Sequence, residues 1–295
     1  MSSQPASVDA ADNLKGMIWM AVYAALMAGM HAGVRMASES GLHAFEIAFF
    51  RNLFAVLVLA PWIWRLGLAP LRTKRLGLLV ARGTLNTLCM LAFFTALTIG
   101  NLAEVAALSF TAPIYATIIG MLFFHEVVGL RRWTAILIGF LGVMVIIRPG
   151  FEALGLAQVL VLGSSLCWAV CMVMIKELSR TESAVTINLY MTVVMAPLSL
   201  VPALYHWVWP SPEQWLILLA VGGLGGAGQM ALTNSLRLAA THVVTPLDFL
   251  RLVFVSVLGY LLFDQVPDIF VWIGGSMILL SVAFIAYREH VRRQL

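Results

Sequence analysis

Apolar stretches follow one another along this chain with hardly any polar sequence between them, and no other feature constrains the fold as much. A helix needs ~20 apolar residues to cross the hydrocarbon core of a bilayer. Measured against that length, the sequence divides into ten spans. The first five run near 16–36, 44–64, 76–98, 102–124 and 132–147. The second five run near 155–176, 184–205, 213–236, 242–263 and 269–287. Hydrophobic residues make up 61% of the chain, against about 45–50% in a water-soluble domain. No soluble domain fits between the spans, so the fold class is an all-α integral membrane protein of ten transmembrane helices.

The connectors are short and marked by Gly or Pro, as at Arg148-Pro149-Gly150 and Trp209-Pro210-Ser211-Pro212. Their basic residues are distributed unevenly. Lys15, Arg65, Arg72, Lys74, Arg75, Arg131, Arg132, Lys176, Arg180, Arg237, Arg288, Arg292 and Arg293 flank the side on which the chain begins. The opposite side holds only Arg35 and Arg148. By the positive-inside rule both termini are cytoplasmic, and an even number of spans agrees. The net charge of +4 is scattered through connectors, not gathered in a stripe, which argues against nucleic acid as a partner. Cys89, Cys167 and Cys171 lie in apolar segments and read as small packing residues.

The two halves of the chain align when displaced by about 140 residues. Leu26 falls on Leu166, Met90 on Met230, and Leu122-Phe123 on Leu262-Phe263. With one residue of slippage Trp133 meets Trp272 and Val143 meets Val282. Spans and connectors recur in the same order. This gives a polar tail at 1–15, five-helix repeats at 16–148 and 155–288, and a second tail at 289–295. An odd number of spans per repeat makes the second cross the membrane in the opposite sense. Such inverted repeats are characteristic of secondary transporters, whose substrate site lies near the midplane between the halves.

The run Glu46-Ile-Ala-Phe-Phe-Arg51-Asn52 resembles the second-helix motif of the drug/metabolite transporter superfamily, EamA family. Leu108-Ser-Phe-Thr-Ala-Pro113 resembles its fourth helix, and His125-Glu126 through Trp133, Gly139 and Gly142-Val143 its fourth-to-fifth helix junction. A weaker second copy runs from Phe263-Asp264-Gln265 through Trp272 and Gly274, with Gln265 standing where the first copy has Glu126. The resemblance implies a ten-helix carrier of small organic solutes in a bacterial inner membrane, working without ATP or a cofactor. It assigns Arg51, Pro113 and Glu126 to structural motifs. Relatives in that family include amino-acid exporters, and the wording around Phe49-Phe50-Arg51-Asn52 and Arg131-Arg132-Trp133 is similar to importers of S-adenosylmethionine and riboflavin. The expected function is export of an amino-acid-like or other amphipathic solute; import of S-adenosylmethionine or riboflavin is the alternative.

Charges inside apolar spans cost several kcal/mol and so mark candidate sites. Asp248 and Arg251 share a face of the ninth span and read either as a cavity-facing pair or as a fixed ion pair. Arg51 lies inside the second span. Arg82 lies close enough to the cytoplasmic end of the third to snorkel toward headgroups, with Asn86 one turn on. Glu104 opens the fourth span on a face continued by Leu108, Thr111 and Tyr115, where it would either carry a proton or complement the helix dipole. His31, four residues before Arg35, is a packing histidine or a titrating one. Gln229, Thr233 and Asn234 follow the glycine-rich stretch of the eighth span and suggest a polar cavity wall. Trp168 and Tyr115 offer surfaces for an aromatic solute. Gly139, Gly142, Gly274 and Gly275 suit close helix packing, with a homodimer contact as a second use.

The expected partners are therefore a small-molecule substrate, the lipid bilayer and protons as coupling ion. An intramembrane enzyme built on Asp248 or Glu104 lacks a catalytic constellation: His43, His125, His206, His242 and His290 lie at helix ends or connectors without metal-ligand spacing. A scaffold would leave the internal repeat unexplained.

Overall fold

A computed structural model of the protein describes residues 10–66, 73, 75–112, 114–116, 118–119, 130–148, 155–178, 181–182, 184–238 and 245–294. Among these residues the chain forms ten α-helices. They are α1 (Ala10–Glu39), α2 (Ala44–Leu66), α3 (Leu76–Ile99), α4 (Leu102–Ser109) and α5 (Leu130–Ile147). There follow α6 (Leu156–Leu178), α7 (Ala184–Leu204), α8 (Pro212–Leu238), α9 (Leu250–Phe263) and α10 (Ile269–Gln294). Segments within α1, α3, α6 and α8 are each long and apolar enough to cross a membrane. Leu137, Phe140 and Leu141 of α5, Leu216 of α8 and Leu261 of α9 stand exposed. A hydrocarbon surrounding makes that exposure inexpensive; water would not.

The connectors at one end are tightly capped. Asn101, between α3 and α4, accepts hydrogen bonds from the Ala103 and Glu104 N–H groups, the usual work of an N-cap amide. Ser211 and Gln214 form a reciprocal capping box at the start of α8, Ser211 N–H to Gln214 Oε1 at 2.7 Å and Gln214 N–H to Ser211 Oγ at 3.3 Å. The Gln214 amide also donates to the Ser40 carbonyl at 2.7 Å, tying α8 to the end of α1.

Packing follows a regular scheme. The α1 helix packs on α8 and α9, α3 on α6 and α7, α2 on α7 and α8, α4 on α6 and α9, and α5 on α10. Advancing every label by five places turns α1–α8 into α6–α3, α1–α9 into α6–α4 and α2–α8 into α7–α3. The pairs α2–α7, α4–α9 and α5–α10 map onto themselves.

Glycines decide how closely two of these pairs approach. On α8, a Cβ at Gly225 would meet Met30 Sδ at 3.1 Å and Arg51 Nε at 3.2 Å, so α1 and α2 settle against bare backbone. On α5, a Cβ at Gly142 would lie 2.6 Å from the Gly274 carbonyl oxygen of α10, and Gly139 faces Ile114 and Ser281. The glycines that suggested a dimer contact are thus consumed by packing within the chain.

One of the expected continuous spans is interrupted, and another starts in a different winding. The fourth stops as an α-helix at Ser109; Phe110 and Thr111 turn through short bonds to the Ala107 and Leu108 carbonyls before helix resumes at Ala112. Proline at 113 has no N–H with which to continue the ladder to Ser109. The ninth begins as a 3-10 turn, Thr245–Phe249, that contains Pro246 and runs directly into α9. The break at Phe110 falls well inside the fourth span, and the 3-10 turn lies near the start of the ninth.

Candidate solute-binding site where the fourth and ninth spans meet

The break and the turn meet. Phe110 and Phe249 rings lie 6.0 Å apart, tilted by 43°. Gly275 of α10 makes the room behind them, since a Cβ there would touch Leu252, Ala107 and Phe249. Asp248 sits in the 3-10 turn and Arg251 in the first turn of α9. The change from 3-10 to α winding still leaves an i,i+3 pair on one face. Arg251 Nη2 donates to Asp248 Oδ2 at 3.1 Å, with side-chain exposures of 12% and 21%. The guanidinium also stacks over the Phe110 ring, 4.7 Å from its centroid. Phe110 of the fourth span and Asp248, Phe249 and Arg251 of the ninth therefore form a single cluster.

That cluster is incompletely satisfied. Asp248 Oδ1 and Arg251 Nε are buried without a partner, so only half of a possible fork-to-fork contact is made. Tyr23 of α1 lies within electrostatic reach of Asp248, Arg251 and Arg51, and it packs against Met20, as does Leu247 of the turn. His31, one face further along α1, feels Arg251 and meets Phe93 edge-on at 5.2 Å. It is 1% exposed, and its Nδ1 has no partner. Arg51 enters from α2. Its Nη1 donates to Asn52 Oδ1 at 3.2 Å, and Asn52 donates in turn to Ser199 of α7 at 3.2 Å. Arg51 Nε lies against Gly225 and is buried and unpartnered. Unpartnered buried polar atoms cost roughly 1–3 kcal/mol each, which makes the Asp248–Arg251 pair the candidate site.

The other candidates go elsewhere. Arg82 does not snorkel. It is 3% exposed and donates to the Ile187 carbonyl of α7 at 3.1 Å, with Met191 Sδ at 3.5 Å. The stem turns inward to meet the acceptor that α7 offers. Asn86, one turn on, donates to Met195 Sδ of the same helix at 3.0 Å. Glu104 accepts from Gln158 of α6 at 2.8 Å, at the far end of α4 from the Phe110 break. Tyr115 lies beyond that break and is hydrogen-bonded to Thr111. Gln229 and Thr233 are exposed on α8, Thr233 Oγ1 returning to the Gln229 carbonyl, and Asn234 is half-buried. Trp168 is partly buried on α6, which packs against α3 and α4. The three cysteines are free, Cys89 and Cys171 buried. Pro113 and Glu126 lie outside the described residues.

Gln265, the departure from the family motif, has a task of its own. Its Oε1 accepts from the Leu102 N–H at 3.0 Å and closes the first turn of α4. Three site residues carried no sequence signal strong enough to nominate them: Tyr23, Phe110 and Phe249. Phe110 stood inside a motif, but apolar spans are full of aromatics, and only the break gives this one its place. Glu46 is likewise fully buried, with the Val208 backbone N–H beside its carboxylate.

Known proteins resemble the chain along nearly its whole length. A riboflavin transporter of Vibrio cholerae is 32% identical over 280 residues, covering 94% of both chains. An S-adenosylmethionine uptake transporter of Rickettsia felis is 27% identical over 248 residues, 84% of each. A pseudopaline exporter of Pseudomonas aeruginosa is 29% identical over 274 residues, 92% of this chain and 95% of the exporter. A crystal structure at 16% identity superimposes with a TM-score of 0.63, covering 94% of this chain and 98% of the other, which shows the fold alone. The model of the EamA-like transporter family matches residues 14–148 and again 155–287. With both halves matched and a relative at 32% identity, the chain belongs to the EamA-like transporter family.

Proposed function

We propose that this chain is a secondary active carrier that takes up a flat, amphipathic metabolite across the bacterial inner membrane by alternating access. The observation that carries this reading is the meeting of the interrupted fourth span with the 3-10 start of the ninth at the Asp248–Arg251 pair. Discontinuous helices at midplane expose backbone groups and charges where a carrier needs them. The packing scheme that maps onto itself when helices advance by five places supports two five-helix repeats, 16–148 and 155–288, inverted with respect to each other. The basic connectors support cytoplasmic termini. Riboflavin and S-adenosylmethionine, the solutes named for two relatives, are both amphipathic heteroaromatics, and the Phe110, Phe249 and Tyr23 rings suit that class. This order reverses the sequence-based preference for export of an amino-acid-like solute.

Export remains the second reading, because a carboxylate and a guanidinium side by side also complement a zwitterion. Glu104 and Glu46 are the carboxylates through which proton coupling would act. The test is counterflow in proteoliposomes with riboflavin, S-adenosylmethionine and amino acids offered in turn. Saturable exchange of one class is the expected result. No saturable flux of any of them, under any gradient, would sink the carrier reading. A cysteine beside Asp248 that changes accessibility between inward and outward conditions would separate a carrier from an enzyme or scaffold.

A further inference from the structure

Links between the two halves gather at the connectors that follow the odd-numbered spans, the side that the basic residues assign to the exterior. His43 of the first such connector stacks on His206 of the fourth, ring centroids 4.0 Å apart, and the Ser40 carbonyl accepts the Gln214 amide at 2.7 Å. Arg148 of the third pairs with Asp268 of the fifth at 2.8 Å. The second connector is held by amides. Gln265 Oε1 accepts from the Leu102 N–H at 3.0 Å, and Gln158 Nε2 donates to Glu104 Oε1 at 2.8 Å. We infer that Gln158 and Gln265 are positioning residues for transport, a two-amide latch by which the second half holds the outer end of α4 shut. This rests on the carrier reading above and adds a gate to it.

The local chain explains why Gln265 reaches across. Asp264 ends α9 in the left-handed region, φ 51°, a conformation that aspartate tolerates better than most residues. The N–H groups of Asp264 and Gln265 both return to the Gly259 carbonyl, the latter at 3.0 Å. With the backbone turned back on α9, the Gln265 side chain is left to meet the first turn of α4.

The latch acts on the helix that leads to the site. From Leu102 to Ser109, α4 has only eight residues, so about 12 Å of helix separates the latch from Phe110. Phe110 in turn lies under the Arg251 guanidinium. A rod that short carries a movement at its outer end to the ring at its inner end. The N–H groups of Ala103 and Glu104 are capped from within the same half by Asn101, so parting the halves takes one cap from α4 and leaves its start formed. Water can replace an amide partner at small net cost, which suits a contact remade in every cycle. Arg148 and Asp268 have a different place. They join the end of α5 to the approach to α10, helices already in backbone contact at Gly142 and Gly274.

The experiment puts Ala103→Cys in the first turn of α4, where the native residue is buried, and labels it in spheroplasts with a membrane-impermeant maleimide. The protein without the added cysteine gives the background from Cys89, Cys167 and Cys171. Replacing both amides, Gln158→Leu with Gln265→Leu, is expected to speed labelling about fivefold or more, as the outward-open population grows. Gln265→Glu with Gln158 intact keeps an acceptor for the Leu102 N–H and is expected to label at the rate of the latched protein. Ser235→Cys reports on folding. Ser235 is buried near the end of α8, where it donates to the Gly16 carbonyl at 2.8 Å, and its labelling in inverted vesicles should not accelerate when the amides are replaced. Unchanged labelling of Ala103→Cys in the double variant overturns the inference. So does acceleration at both reporters, which would make the amides general braces of the fold. No solute enters this assay, so counterflow decides the carrier reading separately.

Discussion

Arg35 closes the end of α3 by donating from Nη1 to the Thr98 carbonyl at 2.7 Å. The same nitrogen lies 3.1 Å from the Gly100 carbonyl, and Nε is paired with Glu39 at 2.8 Å. A cation over the last carbonyls of a helix satisfies acceptors that the helix cannot. Arg35→Met, which keeps most of the stem, is expected to cost about 1–2 kcal/mol. A lowered Tm in detergent checks it, and an unchanged Tm would show that water replaces the cap without loss.

Arg82 is expected to matter for stability more than for solute recognition. Arg82→Ala removes a buried stem and the bond to Ile187, a loss of about 2–4 kcal/mol. Arg82→Met fills the space without burying a charge and is expected to recover most of it. Flux by Arg82→Met should retain the wild-type KM. A KM raised tenfold in that variant would bring Arg82 back as a solute contact.

Glycine substitutions should divide sharply by position. A Cβ at Gly142 meets the backbone of α10, whereas one at Gly223 meets nothing within 4 Å. Gly142→Ala is expected to lower the yield of folded protein, because backbone cannot rotate aside. Gly223→Ala should be neutral or stabilising by up to about 1 kcal/mol. Size-exclusion profiles and Tm of the two variants, prepared side by side, are the measurement.

Asp248→Asn and Arg251→Ala are each expected to reduce flux at least tenfold while inserting normally. Exchanging the residues, Asp248→Arg with Arg251→Asp, distinguishes recognition from bracing. A fixed ion pair would be restored by the exchange; a pair that must present Nε and Oδ1 to a solute would not. Full activity in the exchanged protein would therefore assign the pair to structure alone.

His43 and His206 stack with ring centroids 4.0 Å apart at the ends of neighbouring connectors. Burial, and secondarily the His206 ring, hold His43 below the ordinary histidine range. Its Nδ1 accepts from the Phe45 N–H at 3.3 Å, which only the neutral ring can do. The unfolded chain takes up a proton near pH 6.5 while the folded His43 still resists. Stability is thus full above that pH and falls on acidification until the folded group also titrates. Tm is expected to drop between pH 7 and pH 5 more steeply in the wild type than in His43→Asn, which keeps a capping acceptor without the charge. Equal slopes would rule the stack out as the cause.

Much of the architecture was legible in the residues, for a definite reason. Twenty apolar residues in a bilayer have only the helix open to them, so span positions such as 76–98 and 44–64 fell within a few residues of α3 and α2. Spacing also joined Asp248 to Arg251. Hydropathy, however, is blind to hydrogen bonding. Pro113 and Pro246 sit in runs apolar enough to look continuous, and the break and the turn that build the site went unread. Helical spacing tells how far along a helix a side chain stands, not which neighbour it faces. Arg82 therefore looked free to reach headgroups, Gln229 looked like a cavity wall, and Gln265 looked like a lost glutamate, when it is a cap supplied to another helix.

Where α5 crosses α10 at Gly142 and Gly274, the two backbones touch directly, with Ile146, Met277 and Ile278 packed around the contact. Contacts made by side chains can change shape by hopping between rotamers; a contact without them has nothing to hop. The two helices must then travel as one stiff strut or part altogether, and parting would strip both of packing that no lipid tail can reproduce. In the carrier proposed above, motion between the halves would fall to the pairs that meet through flexible side chains, and the glycine crossing would stay fixed.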